Sequence, residues 1–256
     1  MPPGSAYVHR FPAKVAVATY GGFLVLLAGV SCLGVGLKSV KCLIAALDEN
    51  GDKMLDVMLV LDESGSMRDS IMPAREFAKQ VVEEFSPLGS DGVMVGVVTF
   101  DHDAYLRTHL SEHPNAINHG IDMLTAGGYT SLSAGLDKAS NEFDRNGRDG
   151  AIKIIILLSD GEQTADCKGY DQNTFDNAAF HAGKCRQAAI DKANQIKQEK
   201  GVVIFAWGFA GVKESTLKAM ATTDDYAHFE KDLSALQQFV SKLAEDACKI
   251  QYPPPR

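Results

Sequence analysis

A chain of 256 residues with 45% hydrophobic and 23% charged residues has room for one ordinary domain plus an extension, and too globular a composition for a long disordered tail. Its formal net charge of −8, without any Lys/Arg-rich block, argues against nucleic-acid binding, because neutralising phosphates requires a basic surface. No internal repeat is visible.

In chain order, residues 1–14 form an N-terminal flank containing Arg10 and Lys14. The stretch 15–37, VAVATYGGFLVLLAGVSCLGVGL, contains no charge and is long enough to cross a bilayer. It reads as a signal anchor that ties the chain to a membrane if uncleaved. A cleaved signal peptide is the rival, with small residues near 28–36 as processing positions but no clean A-x-A site. A buried soluble helix is a third option. Lys38 and Lys41 follow, so charge bias sets the orientation weakly. Residues 38–54 make a short polar linker. Within and after it, DENGDKMLD places Asp48, Asn50 and Asp52 at alternate positions, but glycine stands at 51 and Leu59 stands where a calcium loop ends on glutamate. The EF-hand reading is therefore rejected.

Strands and helices then alternate. MLDVMLVL (54–61) is a nearly continuous apolar run, as expected of a strand buried on both faces. In RDSIMPAREFAKQVVEEF, Ile71, Ala74, Ala78, Val81 and Phe85 keep helical spacing, and Pro73 falls early enough to be tolerated. GVMVGVVTF (92–100) is a second buried strand and AYLRTHL (104–110) an alternating edge strand. PNAINHGIDML reads as helix, and SLSAGLDKASNEF carries Leu132, Leu136, Ala139 and Phe143 on one helical face. AIKIIILLS (151–159) is the most β-branched run and reads as a central strand. Helix CRQAAIDKANQIKQEKG, stopped by Gly201, precedes strand VVIFAWGF (202–209), whose Trp207 reads as core. A short helix KESTLKAMAT, a short strand YAHFE and one final amphipathic helix, 234–248, complete the pattern. Repeated β-then-α order predicts an α/β fold, a doubly wound and mainly parallel sheet with helices on both faces over 55–248, with 249–256 as a tail. Ligands of such folds bind outside the carboxyl ends of the strands at a topological switch point.

Five cysteines stand at 32, 42, 167, 185 and 248, with no C-x-x-C pair and no zinc spacing. Cys32 lies inside the apolar stretch. The other four are either free thiols or disulfides. Context favours disulfides: Cys167 and Cys185 bracket a polar segment that would order poorly alone, while Cys42 and Cys248 flank everything globular. Disulfides would place the domain in an oxidising compartment, secreted or on the extracellular side of a membrane.

Three polar clusters fall at loop starts, where such a site would be. Asp62, Ser64 and Ser66 follow the first strand. Thr130 sits in GGYTSL, where Gly127 and Gly128 allow a tight turn. Asp160 ends the most apolar strand. Two carboxylates and three hydroxyls suit a hard divalent cation, Mg²⁺ or Mn²⁺, which takes six oxygens and retains waters. A cation held this way stays electrophilic, and a carboxylate from a partner protein would complete its shell. The competing reading makes Asp62, Ser64 and Ser66 helix caps. Histidines such as His102, His109 and His113 read as surface or loop residues, and Asp101 and Asp103 as a solvated turn.

The set D-x-S-x-S at 62–66, Thr130, and Asp160 after an apolar strand resembles the metal-ion-dependent adhesion site of the von Willebrand factor A, or integrin I, domain. The resemblance covers roughly 55–247. It implies a six-stranded sheet with one antiparallel edge strand, Mg²⁺ or Mn²⁺ above the sheet, and a protein ligand whose acidic residue completes the shell. It implies no catalysis. Members of the family shift their last helix on ligand binding, and some extracellular members bridge the domain's ends, which supports pairing Cys42 with Cys248. Two alternatives remain at this stage: a metal-dependent hydrolase using the same oxygens, and an intracellular assembly factor working with an ATPase. The oligomeric state is not legible.

Overall fold

The computed structural model describes residues 53–164 and 183–250 in full, and the backbone of 16–20, 23–27, 47–48, 51–52 and 178–182. Two units divide the chain, 1–36 and 37–256. In the first, Ala16–Tyr20 pairs antiparallel with Phe23–Leu27. These segments of the expected anchor are a hairpin, and among the described residues no helix is long and apolar enough to cross a membrane. In the second unit, Leu47–Asp48 pairs with Gly51–Asp52 in a two-residue ladder that overlaps the start of the segment rejected as a calcium loop.

Six strands form the main sheet: β1 (Leu55–Asp62), β2 (Val93–Phe100), β3 (Ala104–Ser111), β4 (Ile152–Ser159), β5 (Val203–Phe209) and β6 (Ala227–Glu230). Their spatial order is β6-β5-β4-β1-β2-β3, all parallel except the antiparallel edge strand β3. The chain runs outward from β1 through β2 to β3, then returns to place β4 on the opposite side of β1. The switch point of the doubly wound fold therefore lies between the adjacent ends of β1 and β4.

Every residue of β1 is buried, as two covered faces require. Alternation sorts the side chains. Val57, Leu59 and Leu61 face a layer with Phe77, Val81, Ile117, Ile121, Leu236 and Leu243. Those residues come from α1 (Ile71–Glu84), α2 (Pro114–Asp122), α6 (Leu233–Gln237) and α7 (Val240–Lys249). Met58 and Val60 face the other layer, with Leu136, Ala139, Ala189, Ala193 and Leu217. Those belong to α3 (Leu132–Asn146), α4 (Ala178–Lys200) and α5 (Glu214–Met220). Trp207 is buried in the first layer, with its ring 5.8 Å from Phe77.

Four local expectations need correction. The final helix is two helices: α6 ends at Gln237, α7 begins at Val240, and Phe239 sits at the break with its ring 4.0 Å from His228. Asp232 starts α6 by accepting a hydrogen bond from the Ala235 N–H. Helix α4 begins at Ala178, inside the segment read as a loop before Cys185, where the alanines favour helix. The run 54–61 read as apolar contains Asp56, fully buried and paired with Arg148 at 2.7 Å. His228, in the short strand expected at YAHFE, is half-buried between Trp207 and Phe239 and so departs from the surface or loop reading of the histidines. The Gly201 stop holds: its φ is +63° and its N–H donates to the Lys197 carbonyl.

Candidate metal centre

Three loops, two leaving β1 and β4 and one joining α2 to α3, meet above the switch point. The chain leaves β1 at Asp62 and enters a 3₁₀ turn, Gly65–Ser70. Ser64 occupies the capping position of that turn but makes no side-chain cap bond; its hydroxyl instead lies 3.0 Å from the Ser66 hydroxyl. This geometry does not support the helix-cap reading. Ser66 Oγ in turn donates to Asp160 Oδ1 at 2.7 Å. The first and third clusters, 94 residues apart in sequence, are thus in direct contact. A Cβ placed on Gly161 would lie 3.8 Å from Thr130 Oγ1 and 3.9 Å from Ser66 Oγ, which brings the second cluster to the same point. All five sequence-selected residues converge there. Asp62 is fully buried, Thr130 is 5% and Asp160 7% exposed, and Ser66 opens to solvent.

Neighbouring backbone holds the loops in register. Gly65 N–H donates to the Gly128 carbonyl, Thr164 N–H to the Thr130 carbonyl, and Thr130 N–H to the Thr164 hydroxyl. Of the two glycines expected to permit this turn, Gly128 is the one required. Its φ is +71°, and a Cβ there would come within 2.7 Å of Asp101 Oδ2, whereas one on Gly127 would meet nothing within 4 Å. Asp101 packs against this loop and its carbonyl accepts from the Ser131 N–H.

Sequence reasoning missed three residues that shape the centre. Ser159 donates to Asp62 Oδ2 at 2.5 Å, while Ser64 N–H donates to Asp62 Oδ1 at 2.8 Å. Glu63, which fills an unspecified position of D-x-S-x-S, is buried and paired with Arg107 at 2.8 Å. Glu162 accepts from the Lys213 N–H, the Thr216 hydroxyl and Arg186, fastening the third loop to α4 and α5. The buried serine beside Asp160 was a visible signal for Ser159. Nothing in the sequence marked Glu63.

The electrostatics separate these carboxylates into two groups. Buried Asp56, Glu63 and Glu142 each face a basic side chain, Arg148, Arg107 and His109 respectively. Asp62 and Asp160 have no salt-bridge partner among the described residues. Burial pushes the Asp62 carboxyl up to about 7 against the lowering effect of its Ser159 and Ser64 hydrogen bonds. Burial also raises Asp160, against its Ser66 bond. Two buried carboxylates facing hydroxyls and no basic group form a donor set that fits a hard divalent cation.

Comparisons with known proteins agree with this fold. The chain is 26% identical over 205 residues to the collagen alpha-6(VI) chain of Mus musculus, covering 77% of this chain and 8% of that protein. It is 31% identical over 211 residues to calcium-activated chloride channel regulator 1 of Mus musculus, covering 76% of this chain and 21% of that protein. The chain therefore spans a minor part of these relatives' lengths. Among solved structures, proximal thread matrix protein 1 from the mussel byssus matches with a TM-score of 0.61 at 25% identity, over 77% of this chain and 46% of that one. Another structure of that mussel protein has a zinc-occupied MIDAS motif; at 24% identity that likeness speaks for the fold. The von Willebrand factor type A domain matches residues 56–242, and the chain belongs to that family.

Proposed function

We propose that residues 55–248 form an extracellular or lumenal binding module that holds a protein ligand through Mg²⁺ or Mn²⁺. Asp62, Ser64, Ser66, Thr130 and Asp160 would hold the cation, completing a metal-ion-dependent adhesion site. When bound, the cation supplies an electrophilic centre for an acidic residue of the ligand. The observation that carries this reading is the contrast among buried carboxylates. Asp56, Glu63 and Glu142 are each matched to a basic side chain, whereas Asp62 and Asp160 face hydroxyls. A buried charge without a partner is costly, and a divalent cation offsets two of them.

Relatives that include collagen and integrin chains support protein binding and an extracellular setting. Cys185 and Cys248 are disulfide-bonded, with partners outside the described residues. We assign those partners as Cys167 and Cys42. An oxidising compartment follows from that pairing and counts against the intracellular assembly reading. Against the hydrolase reading, the Glu63 carboxylate beside the cluster is occupied by Arg107, Thr99 and Thr125 and is not placed to act as its base.

Calorimetric titration with Mn²⁺ tests the centre directly. Binding is expected in the parent chain and lost in Asp62→Ala and Thr130→Ala variants whose circular dichroism is unchanged. Capture of matrix and cell-surface proteins should require Mg²⁺ and disappear in EDTA. Capture indifferent to EDTA, or undiminished in a folded Asp160→Ala protein, overturns the reading.

A further inference from the structure

We infer that Glu63 is a positioning residue: it couples the first two cation-site loops to each other and to edge strand β3 through a buried ion pair with Arg107. The inference rests on the cation reading above and concerns a residue that the adhesion-site pattern leaves unspecified.

Glu63 stands between Asp62 and Ser64, yet its side chain turns away from theirs. It is 2% exposed, and its two oxygens meet four donors. Oε1 accepts from Arg107 Nη2 at 2.8 Å and from the Thr99 hydroxyl at 2.9 Å. Oε2 accepts from the Thr125 N–H at 3.1 Å and, more weakly, from its hydroxyl at 3.4 Å. Arg107 Nε also donates to Thr99 Oγ1 at 2.7 Å, closing a triangle of Glu63, Arg107 and Thr99. The backbone of the same residue adds two ties. Its N–H donates to the Phe100 carbonyl at the end of β2, and its carbonyl accepts from the Gly127 N–H.

One residue therefore fastens the segment carrying Asp62, Ser64 and Ser66 to the segment 125–130 that delivers Thr130. The third loop is attached separately, through Thr164 to Thr130 and through Ser66 to Asp160. Without Glu63's carboxylate, Thr130 would depend for its place relative to Ser64 on the backbone ties of Gly127 to Glu63, Gly65 to Gly128 and Ser131 to Asp101, and on Thr164. The network also reaches the surface. The Arg107 guanidinium lies 4.7 Å from the ring centroid of Tyr105, which is exposed on β3. A contact on that strand would thus bear on the spacing of the cation ligands. Groups that orient metal ligands from behind in this manner typically change metal affinity about 10- to 100-fold when removed.

The test compares two buried ion pairs in the intact chain. Glu63→Gln leaves Arg107 without its counter-ion beside the site; Asp56→Asn does the same to Arg148 at the opposite end of β1. Mn²⁺ affinity is measured by electron paramagnetic resonance or calorimetry at a temperature where each variant is folded. The expected result is that Glu63→Gln weakens Mn²⁺ binding about 10- to 100-fold, while Asp56→Asn stays within about twofold of the parent chain. Thr99→Val, isosteric and buried, should weaken binding in the same direction, and it carries the test if Glu63→Gln does not fold. Parent-like Mn²⁺ affinity in folded Glu63→Gln, or in Thr99→Val in that case, overturns the inference and leaves the cation reading intact. Equal losses in Glu63→Gln and Asp56→Asn also overturn it, by showing a general response to destabilisation. Failure of the parent chain to bind Mn²⁺ overturns the cation reading, and this inference with it.

Discussion

The informative residues are polar side chains whose roles depend on their neighbours. Ser64 is chemically a good cap, yet its hydroxyl lies against Ser66. His228 is a second case. Its ring stacks on Trp207 at 5.1 Å and meets Phe239 edge-on, and its Nε2 is buried with no hydrogen-bond partner among the described residues. Burial lowers its pKa, Glu230 opposes that and Lys242 reinforces it. The folded state thus favours neutral imidazole more than the unfolded chain does. Its contribution to stability is complete above the ordinary histidine value of about 6.5 and is lost as pH falls through the lower folded value. On acidification from pH 7 the parent chain should therefore lose melting temperature relative to His228→Phe, whatever the raised carboxyls Asp62 and Asp160 contribute to both proteins. Parallel pH profiles for the two proteins would refute this.

Helix α3 shows how an element can be constrained by one missing side chain. It begins with Ser131, whose hydroxyl accepts from the Ala134 N–H, and it presents Leu132, Leu136, Ala139 and Phe143 to the sheet. Gly135 lies on the same face. A Cβ there would sit 2.7 Å from a carbon of the Phe100 ring and 3.0 Å from Val60. Glycine-to-alanine in an exposed helix would stabilise by about 1 kcal/mol. Here the contact is with a buried ring and a buried strand, so overpacking should dominate at about 1–3 kcal/mol. Gly135→Ala is expected to lower the urea midpoint with an unchanged slope; a higher midpoint would mean that the sheet yields. The break between α6 and α7 is the contrasting case. The amphipathic pattern of 234–248 reads as one helix, but Phe239, packed edge-on against His228, sits at a break in it.

At the scale of the molecule, the two ends of β1 carry different kinds of buried charge. At its start, Asp56 accepts from the Arg148 N–H and Nε at 2.7 Å each, while the guanidinium also donates to the carbonyls of Leu55, Ser90 and Gly92. That end is complete within the chain. Breaking a buried pair on one side costs about 3–5 kcal/mol, so Asp56→Asn should lower unfolding free energy by that order in chemical denaturation. A loss below about 1 kcal/mol would show that Arg148 is readily resolvated. At its far end Asp62 accepts from the Ser159 hydroxyl and from Ser64, with the Asp160 charge nearby and no basic partner among the described residues, the arrangement expected of a centre completed from outside. The cysteines bear on compartment at the same scale. Under the proposed pairing of Cys42 with Cys248 and Cys167 with Cys185, thiol titration of the denatured, unreduced chain should find no reactive thiol outside Cys32. Four such thiols would refute the pairing of Cys42 with Cys248 and Cys167 with Cys185.

Much of this protein follows from sequence alone because the relevant signals are periodic or local. Continuous apolar runs such as 151–159 can bury both faces only in a central strand, and β-then-α order leaves a doubly wound sheet as its packing solution. Asp62, Ser64, Ser66 and Asp160 could be grouped because they stand at strand ends, which such a fold gathers on one edge, and Thr130 because it stands in a glycine-bearing loop between two helices. Tertiary structure decided what has no period. Glu63 pairs with Arg107, Ser159 supports Asp62, Asp56 is neutralised by Arg148, and Phe239 interrupts a helix, all through contacts between residues far apart in the chain. A side chain's charge and shape are written locally, but the partner that satisfies or refuses that charge is chosen by the packing of distant segments. That is why the five candidate ligands could be picked out from the sequence, and why the buried Glu63–Arg107 pair behind them could not.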